Sequence, residues 1–307
     1  MDNSMLLVSP GPHVRSNVTT RRIMLDVVIA LMPSLIAATV IFGWRALLVT
    51  AVCVLTCVTS EWLFEKLCRR PNTVGDLSAV VTGVLLAFNL PVGIPLWQAV
   101  LGSVVAIVVV KQLFGGIGKN FANPAITARI VMLLSFAGSM SAFSSRYDAV
   151  SSATPLAAMT AGEELPSLLD LFLGRHGGSL GETCVLAILI GGAYLLVRRV
   201  ITWHTPAVFV GTVFLFSWAL GENPMQHILS GGLMLGAFFM ATDYATTPPS
   251  KWGKVVFGLG CGLITVLIRV FGNYPEGVSF AILFMNILTP YISAWTRRKP
   301  FGGVKAK

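Results

Sequence analysis

The stretches 88-FNLPVGIP-95 and 239-FMATDYATTPP-249 interrupt two apolar runs of the chain with proline and polar residues. The runs that they end, near 78–90 and 228–241, are the shortest of ten apolar segments. Both are shorter than the roughly 20 residues that an untilted membrane-spanning helix needs. Short, interrupted segments at matching places in two halves of a chain are typical of discontinuous helices that line a buried site. The sequence therefore predicts a helical membrane protein whose two broken helices mark the functional region.

The composition places the chain among membrane proteins. Of its 307 residues, 55% are hydrophobic and 11% are charged, and the mean hydropathy is +0.78, so too little polar surface remains to cover a soluble domain. The net charge of +9 comes from short basic clusters between apolar runs, which indicates membrane topology and not a nucleic-acid-binding patch. The five cysteines form no C-x-x-C pair and have no histidine at ligand spacing, so we predict no metal site. We expect Cys53 and Cys57 to be buried on one helix face.

We predict an all-α polytopic membrane protein with about ten transmembrane helices. The apolar segments lie near 23–43, 46–64, 78–90, 97–114, 124–142, 180–197, 205–220, 228–241, 254–271 and 278–295. A faint repeat relates 82-TGVLLAFNLP-91 to 233-LMLGAFFMATD-243, which suggests two five-helix halves, inverted because each holds an odd number of helices. The predicted organisation is an N-terminal segment 1–22, a first half 23–142, a loop 143–179, a second half 180–295 and a basic tail 296–307.

The basic residues predict the orientation of these helices. With the N-terminus in the cytoplasm, seventeen of the 22 Lys and Arg residues fall in cytoplasmic segments, four fall outside, and Arg129 lies within the fifth span. The positive-inside rule selects this arrangement. The first twenty residues are polar and basic, so we expect no cleavable signal peptide. Both termini are therefore predicted to be cytoplasmic and the 143–179 loop extracytoplasmic.

The predicted outer loop contains the stretch 148-DAVSSATPLAAM-159, which is rich in small and hydroxyl-bearing residues. Thr154 offers a nucleophilic hydroxyl that we expect to be exposed, its neighbours are small enough to enter another enzyme's active site, and Pro155 favours an extended backbone just before it. An ordinary solvated loop is the alternative interpretation. The candidate residues of this motif are Asp148, Ser151, Ser152, Ala153, Thr154 and Pro155.

The run 151-SSATP-155 resembles the flavin-attachment motif, Ser/Thr-Gly-Ala-Thr, of membrane subunits in the Rnf and sodium-pumping NADH:quinone reductase complexes. Ser152 stands where this family has its usual glycine. Further stretches resemble family signatures in the same order along the chain: 111-KQLFGGIGKNFANPA-125, 238-FFMATDYATTPPSKWGK-254 and 272-GNYPEGVSFAILFMNILTP-290. Together they extend the resemblance from about Arg22 to Pro290. It implies a fold of ten helices in two inverted halves, similar in architecture to urea channels.

The resemblance also implies a function. In the family, a separate flavin transferase links the phosphate of FMN to the threonine hydroxyl, which by position is Thr154 here. The chain is then a subunit of an ion-translocating ferredoxin:NAD oxidoreductase in the bacterial inner membrane, where it relays electrons between other Rnf subunits while Na⁺ or H⁺ is transported. The FMN supplies the redox chemistry, and no residue of the chain is assigned a catalytic role. Whether a second, non-covalent flavin (riboflavin) binds between the helices is left open by the resemblance.

Two alternatives remain at this point. The membrane flavoprotein component of the sodium-pumping NADH:quinone reductase belongs to the same family, but it requires a quinone site that we do not identify in the sequence. A urea-channel-like solute pore shares the predicted topology and has no need for a flavin acceptor. Covalently bound flavin separates a redox function from the pore.

Four further residues are candidates for an ion or flavin path: Asn120, Asn123, Thr242 and Asp243. Asp243 stands at a broken helix end, where a carboxylate is costly at membrane depth, although a cap facing the cytoplasm is an equal alternative. Asn123 is also predicted to cap the fifth helix, with Pro124 at its first position. The run 115-GGIGKN-120 is predicted to be a helix-end turn, with a phosphate cradle as the alternative.

Three charged residues near the helix ends carry weaker predictions. Arg129 is expected either to reach the cytoplasmic surface or to meet a buried acid. Glu61 and Glu65 are expected to pair in water with Lys66 or Arg69, at the basic end of the second helix.

Overall fold

A computed structural model of the protein describes residues 18–143, 154–161, 166–272 and 276–297. In these ranges the chain is mostly helical and contains no β-strand. The N-terminal helices are α1 Thr20–Phe42, α2 Trp44–Leu67, α3 Ser78–Phe88, α4 Leu96–Val104 with a π-helical continuation Val105–Gln112, α5 Pro124–Ser135 and α6 Ala137–Met140. A short 3₁₀ turn, Val74–Asp76, precedes α3.

The remaining helices follow in the second part of the chain. They are α7 Pro155–Ala161, α8 Leu168–Leu173, α9 Val185–Val197, α10 His204–Ala219, α11 Pro224–Leu229, α12 Leu233–Leu235 with a π-helical continuation Gly236–Met240, α13 Lys251–Phe271 and α14 Gly277–Trp295. We call α1–α6 the N-terminal helices and α9–α14 the C-terminal helices. The structure thus has helices at all ten segments predicted to be apolar spans.

Four of the described helices are long and apolar enough to cross a membrane: Thr20–Phe42, Trp44–Leu67, Lys251–Phe271 and Gly277–Trp295. Five shorter apolar helices accompany them: Ser78–Phe88, Leu96–Gln112, Pro124–Ser135, Val185–Val197 and His204–Ala219. Large apolar side chains such as Trp44, Leu55 and Tyr291 are exposed on the long helices, as is usual where helices meet lipid. The prediction of a multi-pass helical membrane protein is confirmed at this level.

The predicted limits of the sixth and eighth spans were wrong, each because of a local feature of the backbone. The sixth span begins at Val185 and not near residue 180, because the N–H groups of Leu180 and Gly181 donate to Leu90 O and Phe88 O, both at 3.0 Å. This segment is therefore hydrogen-bonded to the last residue of α3 and to the loop that follows it. The eighth span is split between α11 and α12, because Gly231 adopts φ 67°, in the left-handed region.

The helix caps explain where α5 and α13 begin. Asn123 accepts hydrogen bonds from the N–H groups of Ala125 and Ile126 through Oδ1, and Pro124 occupies the first helical turn, as predicted. Ser250 caps α13 in the same way by accepting from Gly253 N. Backbone N–H groups in the first turn of a helix have no partner within the helix. In α5 and α13 the capping side chain accepts from these groups and so fixes where the helix begins.

Small residues allow α10 and α13 to approach closely. A Cβ at Gly258 would lie 3.0 Å from Thr205 O, and one at Gly262 would lie 2.5 Å from Thr212 Cβ. Close backbone contact at small residues is the usual way in which membrane helices gain packing energy. Cys53 and Cys57 are fully buried on α2, as predicted from the sequence.

The prediction that Glu61 and Glu65 pair in water with Lys66 or Arg69 was wrong. Both carboxylates are buried, and Glu61 is fully inaccessible. Glu61 instead forms an ion pair of 2.7 Å with Lys111 Nζ, at the end of the π-helical continuation of α4. Two charges so far from water must be paired, and the partner comes from a neighbouring helix and not from the basic turn at the end of α2.

Candidate functional site

A cavity of about 110 Å³ lies at one end of the helices. It is bordered by the first turns of α1, α3 and α5, by the end of α9, and by the segment after the π-helical continuation of α12. Its polar lining residues are Ser78, Thr82, Lys111, Asn120, Asn123, Thr242, Asp243 and Tyr244. Apolar side chains such as Val81, Leu85 and Phe239 form much of the remaining wall. We call this space the polar cavity.

The polar cavity brings together all four residues that the sequence proposed for an ion or flavin path. Asn120 and Asn123 come from the turn before α5, and Thr242 and Asp243 come from the segment that ends the broken eighth span. They are separated by more than a hundred residues in the sequence. The fold therefore brings the turn before α5 next to the end of the broken eighth span.

Asp243 is held by its own turn. Its two carboxylate oxygens accept hydrogen bonds from Ala245 N at 3.3 Å and from Thr246 Oγ1 at 3.2 Å. Burial raises the pKa of Asp243, and these two hydrogen bonds act against that rise. The residue thus caps its own turn and also lines the cavity.

The turn before α5 positions the asparagines. Gly115, Gly116 and Gly118 have φ values of 113°, 89° and 81°, which confirms that this run is a turn. Asn120 is buried and donates to Ala122 O at 3.0 Å. Asn123 Nδ2 makes a long contact of 3.5 Å with Met240 O, at the end of the broken eighth span.

Lys111 is a cavity residue that the sequence reasoning missed. Its Nζ donates to Ser78 Oγ at 2.6 Å and to Glu61 Oε1 at 2.7 Å, so it connects the cavity wall with a buried carboxylate. Gln112 Nε2 donates to the same Glu61 oxygen at 2.8 Å. The available signal was a lysine and a glutamate within two apolar spans, which is costly unless the two side chains pair.

A second polar site, the charge cluster, lies at the far end of α3. It is formed by Arg129, Glu182, Arg269 and Glu276. Arg129 is 4% exposed and forms a close ion pair through Nη2 with Glu276. Its Nη1 donates to Asn89 Oδ1 at 2.9 Å and to Ser279 Oγ at 3.1 Å. Of the two outcomes predicted for Arg129, the structure gives the buried acid and not the surface.

The other members of the cluster come from three further segments. Glu182 Oε2 lies 3.8 Å from Arg129 Nη2, is buried, and makes no hydrogen bond to any described residue. Arg269, near the end of α13, donates to His227 O at 2.5 Å and to Ser230 O at 3.1 Å. The cluster therefore joins the N-terminal helices to the C-terminal helices through charged side chains.

The helix α3 runs from one polar site to the other. Ser78, at its start, lines the polar cavity, and Asn89, at its end, accepts from Arg129. At 1.5 Å per residue, these eleven steps correspond to roughly 16 Å. Both sites thus lie against the same broken helix, one at each end.

Thr154 lies at the start of α7. Its Oγ1 accepts a hydrogen bond from Ala157 N at 3.2 Å, and its own carbonyl accepts from Ala158 N at 2.9 Å. Its side chain is buried, with 8% of the residue exposed, so the expectation of an exposed threonine was wrong for this conformation. The physical reason is that the hydroxyl caps α7 and packs with it. Asp148, Ser151, Ser152 and Ala153 lie outside the described residues, whereas Pro155 begins the helix and is buried.

The helix that follows Thr154 packs against the charge cluster. A Cβ at Gly231 would lie 2.4 Å from Leu156 Cδ1 and 3.3 Å from Arg269 Nη2. Leu156 and the guanidinium of Arg269 therefore meet at this glycine. The sequence motif and the buried charges are neighbours in the fold, although no pattern in the sequence related them.

The long apolar helices, the two broken helices and the buried polar sites between them define a polytopic helical membrane protein. A family model described as the NQR2, RnfD, RnfE family matches residues 7–302. The chain belongs to this family.

Individual relatives match the chain over nearly its full length. A protein of Acetobacterium woodii named as the D subunit of the Na(+)-translocating ferredoxin:NAD(+) oxidoreductase complex is 49% identical, over 100% of this chain and 98% of that protein. The D subunit of the proton-translocating ferredoxin:NAD(+) oxidoreductase complex of Clostridium ljungdahlii is 38% identical, over 97% of each. The D subunit of an ion-translocating oxidoreductase complex of Halorhodospira halophila is 33% identical, over 95% of this chain and 94% of that protein.

Proposed function

We propose that the chain is the RnfD-type membrane subunit of an ion-translocating ferredoxin:NAD oxidoreductase and carries FMN covalently on Thr154. The observation that carries this proposal is the full-length identity of 49% to a protein named as that subunit, together with the acceptor-like run 151-SSATP-155. The redox reaction belongs to the whole complex, so the other Rnf subunits are the proposed partners. A flavin transferase is proposed as the maturation partner, since the chain has no described group that transfers FMN.

The residues around Thr154 fit a phosphodiester. The hydroxyl accepts from Ala157 N and donates to no described residue, so no hydrogen bond donated by this group is lost when its proton is replaced by phosphorus. The side chain is 8% exposed, so the transferase must act on a conformation in which α7 has moved away. A helix of only seven residues opens at small cost.

The FMN supplies electron transfer when bound, and the chain supplies position and electrostatics. Leu156 anchors α7 against Gly231 and so holds the attachment point next to Arg269. A positive guanidinium near an electron carrier favours its reduced, more negative form. The tether keeps the flavin at high local concentration between redox partners.

The polar cavity is the proposed place for a second, non-covalent flavin. Apolar walls at Val81, Leu85 and Phe239 suit the faces of a fused aromatic ring, and amides and charged groups on the rim suit its polar edge. Asn120 and Asn123 would hold polar atoms of the ring, and Lys111 would stand next to it with a positive charge. Thr242 and Asp243 line the same cavity and would also contact the ring.

The proposed location is the bacterial inner membrane, with both termini in the cytoplasm and Thr154 on the outer side. The distribution of Lys and Arg supports this orientation. The polar cavity, at the opposite end of α3 from the charge cluster, then faces the cytoplasm. Electrons passing between the two flavins would cross much of the membrane within this chain.

Two other functions differ from this one in a measurable property. The membrane flavoprotein component of a sodium-pumping NADH:quinone reductase would also carry covalent FMN but would work with quinone. A urea-channel-like pore would carry solute and no flavin. The names of the relatives favour the Rnf assignment over both.

The test is covalent flavin fluorescence after denaturing electrophoresis, with the protein produced alongside a flavin transferase and the other subunits. Thr154→Ala should abolish fluorescence while the chain remains in the membrane. Ser167→Ala is the matched control, because Ser167 caps the neighbouring helix α8 by accepting from Asp170 N and lies outside the motif. Fluorescence that persists in Thr154→Ala would refute the attachment site, and a wild-type chain without flavin would favour the pore.

A further inference from the structure

A line of polar contacts connects the polar cavity with the charge cluster. Asn123 at the cavity contacts Met240 O through Nδ2, and Met240 Sδ accepts from Asn89 Nδ2 at 3.8 Å. Asn89 Oδ1 in turn accepts from Arg129 Nη1 at 2.9 Å. The line therefore passes between the ends of the two broken segments and reaches the guanidinium of Arg129.

Buried amides extend this line at the cavity end. Asn286 is 1% exposed and, with its amide oriented to satisfy both neighbours, accepts from Asn123 N at 3.1 Å and donates to Thr246 O at 3.2 Å. Thr246 is also the residue that donates to Asp243. Polar side chains buried between membrane helices are expensive and commonly mark ion or proton pathways.

Arg129 occupies the point where the line leaves the N-terminal helices. Its Nη1 donates to Asn89 and Ser279, its Nη2 pairs with Glu276, and the side chain is 4% exposed. A fixed positive charge in a narrow polar passage repels cations, which is how selective pores exclude them. The positive charge of Arg129 therefore opposes the approach of a cation at this point.

We propose that Arg129 is the electrostatic gate of a cation path between the N-terminal and C-terminal helices, and that Glu182 is the carboxylate that binds the cation when the gate opens. Glu182 Oε2 is the observation that points to a ligand. It is buried and has no hydrogen-bonding partner among the described residues, although a positive group lies 3.8 Å away. In the open arrangement a monovalent cation occupies this oxygen, and Arg129 stays with Glu276.

The charges of the cluster explain why the gate is closed at rest. Arg129 and Arg269 balance Glu182 and Glu276, so an additional cation in this buried space has no counter-charge among the described members of the cluster. Burying an uncompensated ion is strongly unfavourable. A negative charge arriving nearby removes this obstacle.

The neighbouring attachment helix supplies a source for that charge, and this step rests on the proposed function. Leu156 of α7 meets Arg269 at Gly231, so a flavin attached at Thr154 would be held near the cluster. One electron supplied to it by a partner subunit would add one negative charge, and one cation bound at Glu182 would restore neutrality. Loss of the electron to the next carrier would then release the cation.

The gate is tested first without any redox reaction. The complete complex is reconstituted in liposomes, a potassium diffusion potential is applied, and passive uptake is measured with ²²Na⁺ and with a trapped pH dye. Arg129→Gln should raise the leak of one of these ions by about tenfold or more, because a nearby unit charge changes the barrier by more than one decade. Arg129→Lys keeps the charge and should remain tight.

The matched control is Arg175→Gln. Arg175 is 60% exposed and pairs with Asp170 at 3.8 Å, outside the cluster, so its removal should leave the leak at the wild-type level. Should Arg129→Gln fail to assemble, the double variant Arg129→Gln, Glu276→Gln avoids a stranded carboxylate and should leak equally. An assembled variant of either kind that is as tight as the wild type would overturn the gate.

The cation-binding part is tested with Glu182→Gln, which keeps the shape of the side chain. The number of ions taken up per electron transferred should fall to background, while the passive leak stays low because Arg129 is intact. An unchanged ratio would overturn the role of Glu182, whether or not the Arg129 variants assemble.

Flavin on the Thr154 peptide is recorded separately for every preparation. A leak in Arg129→Gln without covalent flavin would keep the gate and remove the proposed cofactor. Covalent flavin on Thr154 together with an Arg129→Gln variant that does not leak would keep the proposed cofactor and overturn the gate.

Discussion

The two ends of α3 border different kinds of polar site. At Ser78 the helix borders a cavity of about 110 Å³, whose wall carries Lys111 and Asp243 beside apolar side chains. At Asn89 it meets Arg129, which lies between the buried carboxylate of Glu182 and the half-buried carboxylate of Glu276. The first end offers space to a ligand, and the second holds charges tightly together. The difference fits the two proposals, a ligand in the cavity and control of cation passage at the cluster.

Two ion pairs in the described part of the chain also differ, in the helices that they join. Glu61 and Lys111 lie on α2 and on the continuation of α4, both among the N-terminal helices. Arg129 and Glu276 join an N-terminal helix to the start of α14. Of these two pairs, the second is the one that can report a relative movement of the two groups of helices. A buried pair within one group contributes to its rigidity, whereas a pair between groups is suited to switching.

The largest stability effect is expected at the cluster. Arg129→Met leaves the carboxylate of Glu276, which is 16% exposed, without its partner, and breaking a buried pair costs up to about 3–5 kcal/mol of unfolding free energy. Reversible unfolding in mixed detergent micelles measures this loss. The double variant Arg129→Met, Glu276→Gln should recover most of it. A single variant as stable as the wild type would mean that the cluster is open to water.

A smaller loss is expected at the junction between α3 and the segment before α9. A Cβ at Gly181 would lie 2.2 Å from Phe88 Cγ, so Gly181→Ala must displace the aromatic ring or the backbone. Overpacking of this kind costs about 1–3 kcal/mol. The control is Gly211→Ala in α10, where a Cβ meets no atom within 4 Å and should be neutral or slightly stabilising. Equal stability of the two variants would show that the junction is loose.

At the cavity end, Asn123→Ala should cost about 1 kcal/mol, because it removes the cap of α5. Asn123→Asp keeps an oxygen that accepts from Ala125 N and Ile126 N, so it should lose much less. The same unfolding assay compares the two variants. If Asp is as harmful as Ala, the amide nitrogen and its contact with Met240 O matter more than the cap.

The smallest effect is expected for Asp243→Asn, and it should depend on pH. Burial raises the pKa of Asp243 above 3.8, so the folded chain holds a proton more tightly than the unfolded chain. The wild type should therefore lose stability relative to Asp243→Asn as pH rises above that value, until the folded-state carboxyl has ionised. The difference in unfolding free energy between the two chains, measured from acid to neutral pH, checks this sign. A difference that stays constant would mean that Asp243 is well hydrated.

Much of the fold was predictable because helix-forming apolar runs carry a strong signal. The interruptions at Pro91 and after Met240 identified the two broken helices, and the pair Asn123–Pro124 identified the start of α5. These features depend on local chemistry alone. The break at Gly231 was missed, because a glycine in an apolar run gives no sign of its φ angle before the fold is known.

The candidate sites were less predictable, because they depend on contacts between distant segments. Asn120, Asn123, Thr242 and Asp243 were selected singly, and only the fold places them around one cavity. Lys111 and Glu61 are fifty residues apart, and Arg129 and Glu276 are 147 apart. Such pairs have no periodicity or spacing that a single sequence reveals. The burial of Thr154 was likewise missed, since it depends on how α7 packs.

Attachment of FMN to Thr154 is tested most directly by a peptide map of the chain purified in its complex from a host that supplies the flavin transferase. We expect the peptide containing Thr154 to be heavier by about 438 Da, the mass of FMN less one water, and fragmentation to assign the addition to Thr154 itself. An unmodified Thr154 peptide in a complex that transfers electrons would contradict the proposed function, because electrons would then pass without a flavin at this site.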